Sequence, residues 1–171
     1  MKSIFVIVGK KGSGKTTFLI DVLVQLQRNG LVASGFVSFH ELQSDCYMIK
    51  DIKTNEEFPL MQRVATFEQR PKQFKFFPEG LEFGNNCFKE LLENPPDIAV
   101  VDEIGGYELA GELWSKSFTQ LVDTSTPLIF TTKEKLLEEV LEKWNIKPTL
   151  VFRVADFGNL QQAVEQIKNF L

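Results

Sequence analysis

Apolar positions fall along this chain in short blocks of two kinds that alternate. Residues 3–8 form a β-branched and aromatic run stopped by Gly9 and Lys10, which predicts a buried strand. After Lys15, the residues Leu19, Val22, Leu23 and Leu26 recur at three- and four-residue spacing until Asn29-Gly30, which predicts a helix with a left-handed exit. Strand, glycine-rich turn and helix within the first thirty residues predict a parallel α/β sheet. Residues 35–39 and 46–52 then read as two strands around the polar stretch 41–45, and residues 58–61 as a further short strand, together an antiparallel extension. Residues 63–80 read as loop with one strand at 74–77.

The second half repeats the alternation. A helical pattern over 81–94 is stopped by Pro95-Pro96, and 97–102 is a compact strand ending in carboxylates. Trp114, Phe118, Leu121 and Val122 mark a helix, 128–132 a strand, and Leu136, Leu137, Val140, Leu141 and Trp144 another helix. A last strand at 149–154 precedes the amphipathic positions Leu160, Ala163, Val164, Ile167 and Leu171. With no repeat, linker or low-complexity tract, residues 1–171 read as one α/β domain of three layers, α/β/α, around a mostly parallel central sheet.

Chemistry enters between the first strand and the first helix. Gly9-Lys10-Lys11-Gly12-Ser13-Gly14-Lys15-Thr16 satisfies the P-loop pattern of glycine, four residues, then Gly-Lys-Thr, and Thr17 follows. Glycines at 9, 12 and 14 allow the chain to curl so that consecutive N–H groups point inward, and the start of the helix adds positive partial charge where phosphates would sit. In that pattern Lys15 reaches the β- and γ-phosphates and Thr16 offers its hydroxyl to magnesium. The strand of residues 98–101 runs into Asp102-Glu103; beside a P-loop, Asp102 is placed to hold the metal and Glu103 to orient a water. Gly105-Gly106 reads as a close backbone approach or a turn. Thr131 and Thr132 end the next strand on the rim where such sheets bind ligands, and read either as contacts to phosphate or water or as a helix N-cap.

Composition narrows the class further. The chain has 171 residues, with 19 Lys and Arg against 23 Asp and Glu, a net charge of -4, so no broad nucleic-acid footprint is expected. Cys46 and Cys87 lack C-x-x-C spacing, which favours a reducing compartment and argues against a thiolate zinc site. The longest apolar runs are strand-sized and Gly9-Lys10 ends the first too early for a secretory signal, so a cytoplasmic domain without a membrane span is expected. His40 is the sole histidine, which leaves a histidine relay or metal cluster without parts. Most of the 16 phenylalanines read as core; Phe74, Phe76 and Phe77 do so too, above the alternative of presenting a ring to a base.

On these residues the chain resembles the small nucleoside-triphosphatase family, of the cancer-related nucleoside-triphosphatase type, within the P-loop superfamily. The resemblance runs over most of the chain. It rests on the P-loop at 9–17, on Gly35-Phe36 with Ser38, and on Val101-Asp102-Glu103-Ile104-Gly105 continuing to Glu108-Leu109. It implies a P-loop NTPase fold with a RecA-like sheet and magnesium-dependent hydrolysis of nucleoside triphosphates such as ATP or GTP to diphosphate and phosphate, slow and with broad base preference. Asp102 then matches the metal-site aspartate and Glu103 the presumed general base. The chain departs from the family pattern at 39–45, where no arginine stands. Arg28, Arg63, Arg70 and Arg153 are the only arginines and none reads as a finger, which fits slow turnover. Two other classes stay open from the sequence. One is a P-loop kinase, against which the arginine-free segment 131–143 counts; the other is a nucleotide-dependent switch or adaptor working through the loops at 41–45 and 63–80.

Overall fold

A computed structural model describes residues 2–64, 73–156 and 158–171. Eight strands form one sheet in the order β5-β4-β3-β2-β6-β7-β1-β8. Along the chain these are β1 (Ile4–Gly9), β2 (Ala33–Glu41), β3 (Cys46–Asp51), β4 (Glu57–Val64), β5 (Gln73–Phe76), β6 (Ile98–Val101), β7 (Leu128–Lys133) and β8 (Leu150–Arg153). Helix α1 (Lys15–Arg28) follows β1, and α2 (Pro78–Glu93) leads into β6. The short α3 (Gly106–Leu109) and α4 (Ser115–Val122) join β6 to β7, α5 (Leu137–Lys143) joins β7 to β8, and α6 (Leu160–Lys168) closes the chain.

The sheet divides into two kinds of pairing. Strands β2, β6, β7, β1 and β8 are parallel, whereas β3, β4 and β5 add to β2 in antiparallel fashion. Parallel strands carry helices on both faces, so they must be apolar on both. That is why β6 reads Ile-Ala-Val-Val and β1 is buried at every residue. Phe5 and Ile7 point to a core shared with Leu19, Val22, Leu26 and Ile167 of α1 and α6. Val6, Val8, Phe36 and Phe130 point to the opposite core, with Phe88, Trp114 and Phe118 of the α2–α4 side. Three layers result, with the mostly parallel sheet in the middle and an antiparallel extension at one edge.

Differences from the expected elements are local. Helix α2 starts at Pro78 rather than at residue 81, because proline at the first helical position costs no hydrogen bond and presets φ. Its weak-looking Gly84 lies directly against the Trp114 indole, where no Cβ fits. Gly105-Gly106, expected as a close backbone approach or a turn, forms the N-cap and first residue of α3, and the helix expected from Leu136 begins as a 3-10 turn at Glu134–Leu136. β4 extends to Val64, and the expected strand at 74–77 is β5, with Phe77 already outside it as the residue before α2. Between them, the loop expected at 65–72, with Arg70, lies outside the described residues. Among the described residues, no helix is long and apolar enough to cross a membrane.

Candidate functional site

The carboxyl ends of β1, β6, β7 and β2 meet at one rim. Gly9 ends β1, and the chain then turns tightly, with the Ser13 N–H donating to the Lys10 carbonyl at 3.1 Å. Gly12 and Gly14 take φ of 74° and 90°, the left-handed region where a side chain would be strained. Gly14 is the N-cap of α1 and offers no side-chain cap, so the first amides of the helix are left to whatever lies in front of them. Lys10, Lys11, Ser13 and Thr17 are exposed along this turn and the first turn of α1, while Lys15 is only 7% exposed. The Lys15 ammonium folds back to donate to the Lys10 carbonyl at 3.3 Å and stands 3.5 Å from Glu103 Oε2.

Asp102 is sealed. It is 1% exposed and its carboxylate accepts from the Thr16 hydroxyl at 2.8 Å, from the Ser38 N–H at 3.1 Å and from the Thr131 hydroxyl. Ser38 binds it twice, since its Oγ donates to the Asp102 carbonyl at 2.7 Å. Burial raises the Asp102 carboxyl above the usual carboxylate range; the three hydrogen bonds pull the other way and the Glu103 charge adds to the rise. Such an arrangement favours a cation beside it. The donors are all hard oxygens, the Thr16 hydroxyl and one buried carboxylate, which suits magnesium. Among the described residues no three carboxylate, imidazole or thiol groups converge, so an ion held here would need further ligands from phosphate and water, as magnesium commonly has.

Glu103 behaves differently from its neighbour. Its side chain is 30% exposed at the rim and bridges two ammoniums, Lys15 through Oε2 and Lys133 through Oε1, each at 3.5 Å. One carboxylate is therefore locked into the protein and the next is open to solvent between two cations. Thr132, on the neighbouring rim position of β7, is fully buried and its hydroxyl has no hydrogen-bond partner. The N-cap reading of both threonines does not hold: Lys133 precedes the 3-10 turn, without a side-chain cap, and Thr131 is spent on Asp102.

Behind the carboxylates, Glu108 fixes the loop that carries them. It is 2% exposed, and its Oε2 accepts the Gly105 N–H at 2.8 Å while Oε1 has no partner. Lys143 from α5 donates to the Glu108 and Leu109 carbonyls at 2.7 and 2.8 Å and ties down the same turn. Burial raises the Glu108 carboxyl above its ordinary range, against the hydrogen bond from Gly105. Reading the residues one at a time misses Ser38, Lys133 and this function of Glu108. For Glu108 a signal exists: a glutamate three residues after the N-cap, here Gly105, is the capping-box spacing.

A P-loop on a parallel sheet, with a buried aspartate hydrogen-bonded to its threonine, defines the class: this is a P-loop nucleotide-binding α/β protein. The family profile described as NTPase matches residues 4–167, and the chain belongs to that family. A nucleoside-triphosphatase THEP1 of Methanocaldococcus jannaschii is 25% identical over 163 residues, covering 80% of this chain and 94% of the relative. The protein of the same name from Methanopyrus kandleri is 25% identical over 134 residues, covering 76% and 73%. Among solved structures, THEP1 from Aquifex aeolicus superposes with a TM-score of 0.70 at 18% identity, covering 100% of this chain and 99% of that one. A human cancer-related nucleoside triphosphatase gives 0.69 at 21%, covering 99% and 97%. At those identities the two structures speak for the fold, an α/β P-loop NTPase fold, which is the fold expected from the motif.

Proposed function

We propose that this protein hydrolyses nucleoside 5′-triphosphates to the diphosphate and phosphate in a magnesium-dependent reaction, slowly and with little preference among bases. The observation that carries the reading is the division of labour between adjacent carboxylates: Asp102 closed against Thr16, Glu103 open between Lys15 and Lys133. The amides of residues 10–17 and the Lys15 ammonium bind the phosphates. Thr16 and Asp102 would hold magnesium, which when bound would neutralise phosphate charge.

Glu103 orients a water on the side of the γ-phosphorus opposite the leaving oxygen. As the water oxygen bonds to phosphorus, the bond from phosphorus to the β,γ-bridging oxygen breaks and the water proton passes to the Glu103 carboxylate. Lys15 and Lys133 hold that carboxylate in place before the step. Main-chain amides and an ammonium read phosphate and no base, which supports broad base use. Among the described residues the cations at Glu103 are lysines, and Arg153 is turned to Glu134 at 3.6 Å, which supports slow turnover without an arginine finger.

The experiment is phosphate release from ATP, GTP, CTP and UTP with magnesium and with chelator. Release from all four that stops in chelator is expected. Nucleotide binding with no phosphate after prolonged incubation would refute the reading.

A further inference from the structure

Beyond Glu103 the sheet continues into a surface unlike the rest of the molecule. Moving away from the P-loop strand, the order is β7 with Lys133, β6 with Asp102-Glu103, β2 with Ser38 and His40, then β3, β4 and β5. His40 is opposite Tyr47, Tyr47 opposite Met61, Met61 opposite Phe76 and Arg63 opposite Phe74, so these side chains share one face. A register step between β3 and β4, where Met48 pairs with Pro59 but Tyr47 with Met61, is what brings Arg63 to this face; without it Gln62 would stand there.

The rings touch in series. His40 stacks on Tyr47 with centroids 4.6 Å apart and planes tilted by 32°, Tyr47 meets Phe74 edge-on at 5.8 Å, and Phe74 and Phe76 both meet Tyr107 edge-on at 6.4 and 5.2 Å. Tyr107 lies four residues after Glu103, and His40 two residues after Ser38 on the same strand face, so the series begins and ends beside the carboxylate rim.

A sealed aromatic core would look otherwise. On the same side of the sheet, Phe36, Phe88 and Trp114 are at most 2% exposed, whereas His40, Tyr47, Phe74, Phe76 and Tyr107 are all half-buried. Polar groups also stand among the rings. Asp45 Oδ1 lies 2.7 Å from His40 Nε2, and the Arg63 Nε, although enclosed, has no hydrogen-bond partner. Half-open rings beside a half-exposed guanidinium suit a flat heteroaromatic ring that carries acceptor atoms on its edge.

We infer that this face is a second ligand site, which takes a nucleobase-bearing molecule on the attacking side of the γ-phosphate, separate from the nucleotide held by the P-loop. The location follows from the proposed chemistry and rests on it in that one respect. Phosphates laid along residues 10–17 bring the γ-phosphate to Glu103, and an in-line reaction puts the leaving diphosphate and its nucleoside on the opposite side from the attacking group. The ring surface lies on the attacking side, where the bound nucleotide's own base does not reach. Tyr47 and Phe74 supply the stacking surface and the half-exposed Arg63 guanidinium donates to a ring nitrogen or carbonyl.

The test fills the P-loop first. Wild-type protein saturated with magnesium and adenosine 5′-(β,γ-imido)triphosphate is titrated with adenosine, guanosine, cytidine and uridine, with binding followed by calorimetry. Saturable binding of at least one nucleoside is expected, weakened about tenfold or more by Tyr47→Leu and by Arg63→Met, and retained by Tyr47→Phe, with unchanged far-ultraviolet circular dichroism for all three. Absence of nucleoside binding, or binding indifferent to Tyr47→Leu and Arg63→Met, overturns the proposal. So does the case in which Tyr47→Leu weakens the imido-triphosphate itself and added nucleoside does not bind, for the face then serves the first nucleotide's own base. Phosphate release by the wild type without nucleoside tests the hydrolase reading independently of all these outcomes.

Discussion

The parallel half of the sheet and its antiparallel extension differ in what they do with polar groups. In the parallel half, the polar side chains around Asp102 are paired: Asp102 receives three donors, and its neighbours Thr16, Ser38 and Thr131 are each committed to it, while Thr132 beside them keeps a buried hydroxyl without a partner. In the extension, rings are half-open and Arg63 keeps an enclosed donor unpaired. A site that handles phosphate must hold charge in fixed positions, since prearranged charges need no reorganisation when the reaction occurs. The extension carries no such requirement in its scaffold and tolerates side chains whose partners come from outside the chain. Rigid electrostatics and open stacking surface therefore lie side by side on one sheet, joined at Ser38 and His40 of β2.

That contrast breaks most visibly at Lys15. Lys15→Ala removes the buried ammonium from the phosphate loop, and nucleotide affinity measured by calorimetry should fall about 100-fold or more, because truncating a buried charged partner costs about 2–5 kcal/mol. Gly84→Ala acts on the packing beneath the sheet. The new methyl group meets the Trp114 indole, which is 2% exposed and has nowhere to go, so chemical denaturation should show a loss of about 1–3 kcal/mol with the phosphate site chemically intact.

Glu108→Gln sharpens the account of the loop. Burial holds the Glu108 carboxyl above its ordinary value of 4.5, so the neutral acid is the form favoured by the fold. The stability tied to it is complete below that unfolded value and is lost as pH rises through the higher folded value. The glutamine cannot ionise and keeps an acceptor for the Gly105 N–H. Its denaturation midpoint should therefore decline less than the wild type's as pH is raised from the acid range towards neutrality; parallel curves would remove Glu108 from the pH dependence. The smallest effect is expected at Lys133→Ala. Its contact with Glu103 is one-third exposed and shared with Lys15, so kcat should fall at most about fivefold, in line with about 0.2–1 kcal/mol for such a pair.

Much of the phosphate half could be read from the chain because its chemistry is written locally. A P-loop needs glycines at fixed offsets before Lys15 and Thr16, and a buried parallel strand shows as the uninterrupted run before Asp102. What stayed hidden depends on contacts between distant residues. Ser38 and Asp102 are 64 residues apart and meet only because β2 lies beside β6, while Lys133 reaches Glu103 only through the β6–β7 pairing. α3 has four residues, too few to show a helical period, so Gly105-Gly106 reads as a close backbone approach or a turn rather than as a helix start. Phe74 and Phe76 read as core by composition, and on the edge strand β5 they are half-open.

The central claim is that Glu103 handles the attacking water while Asp102, Thr16 and Lys15 bind. Phosphate release and triphosphate affinity measured together on Glu103→Gln test it directly. The account predicts affinity within about threefold of the wild type and turnover lower by about 10²- to 10⁴-fold, the usual worth of a positioned general base. Wild-type turnover in the variant would contradict it.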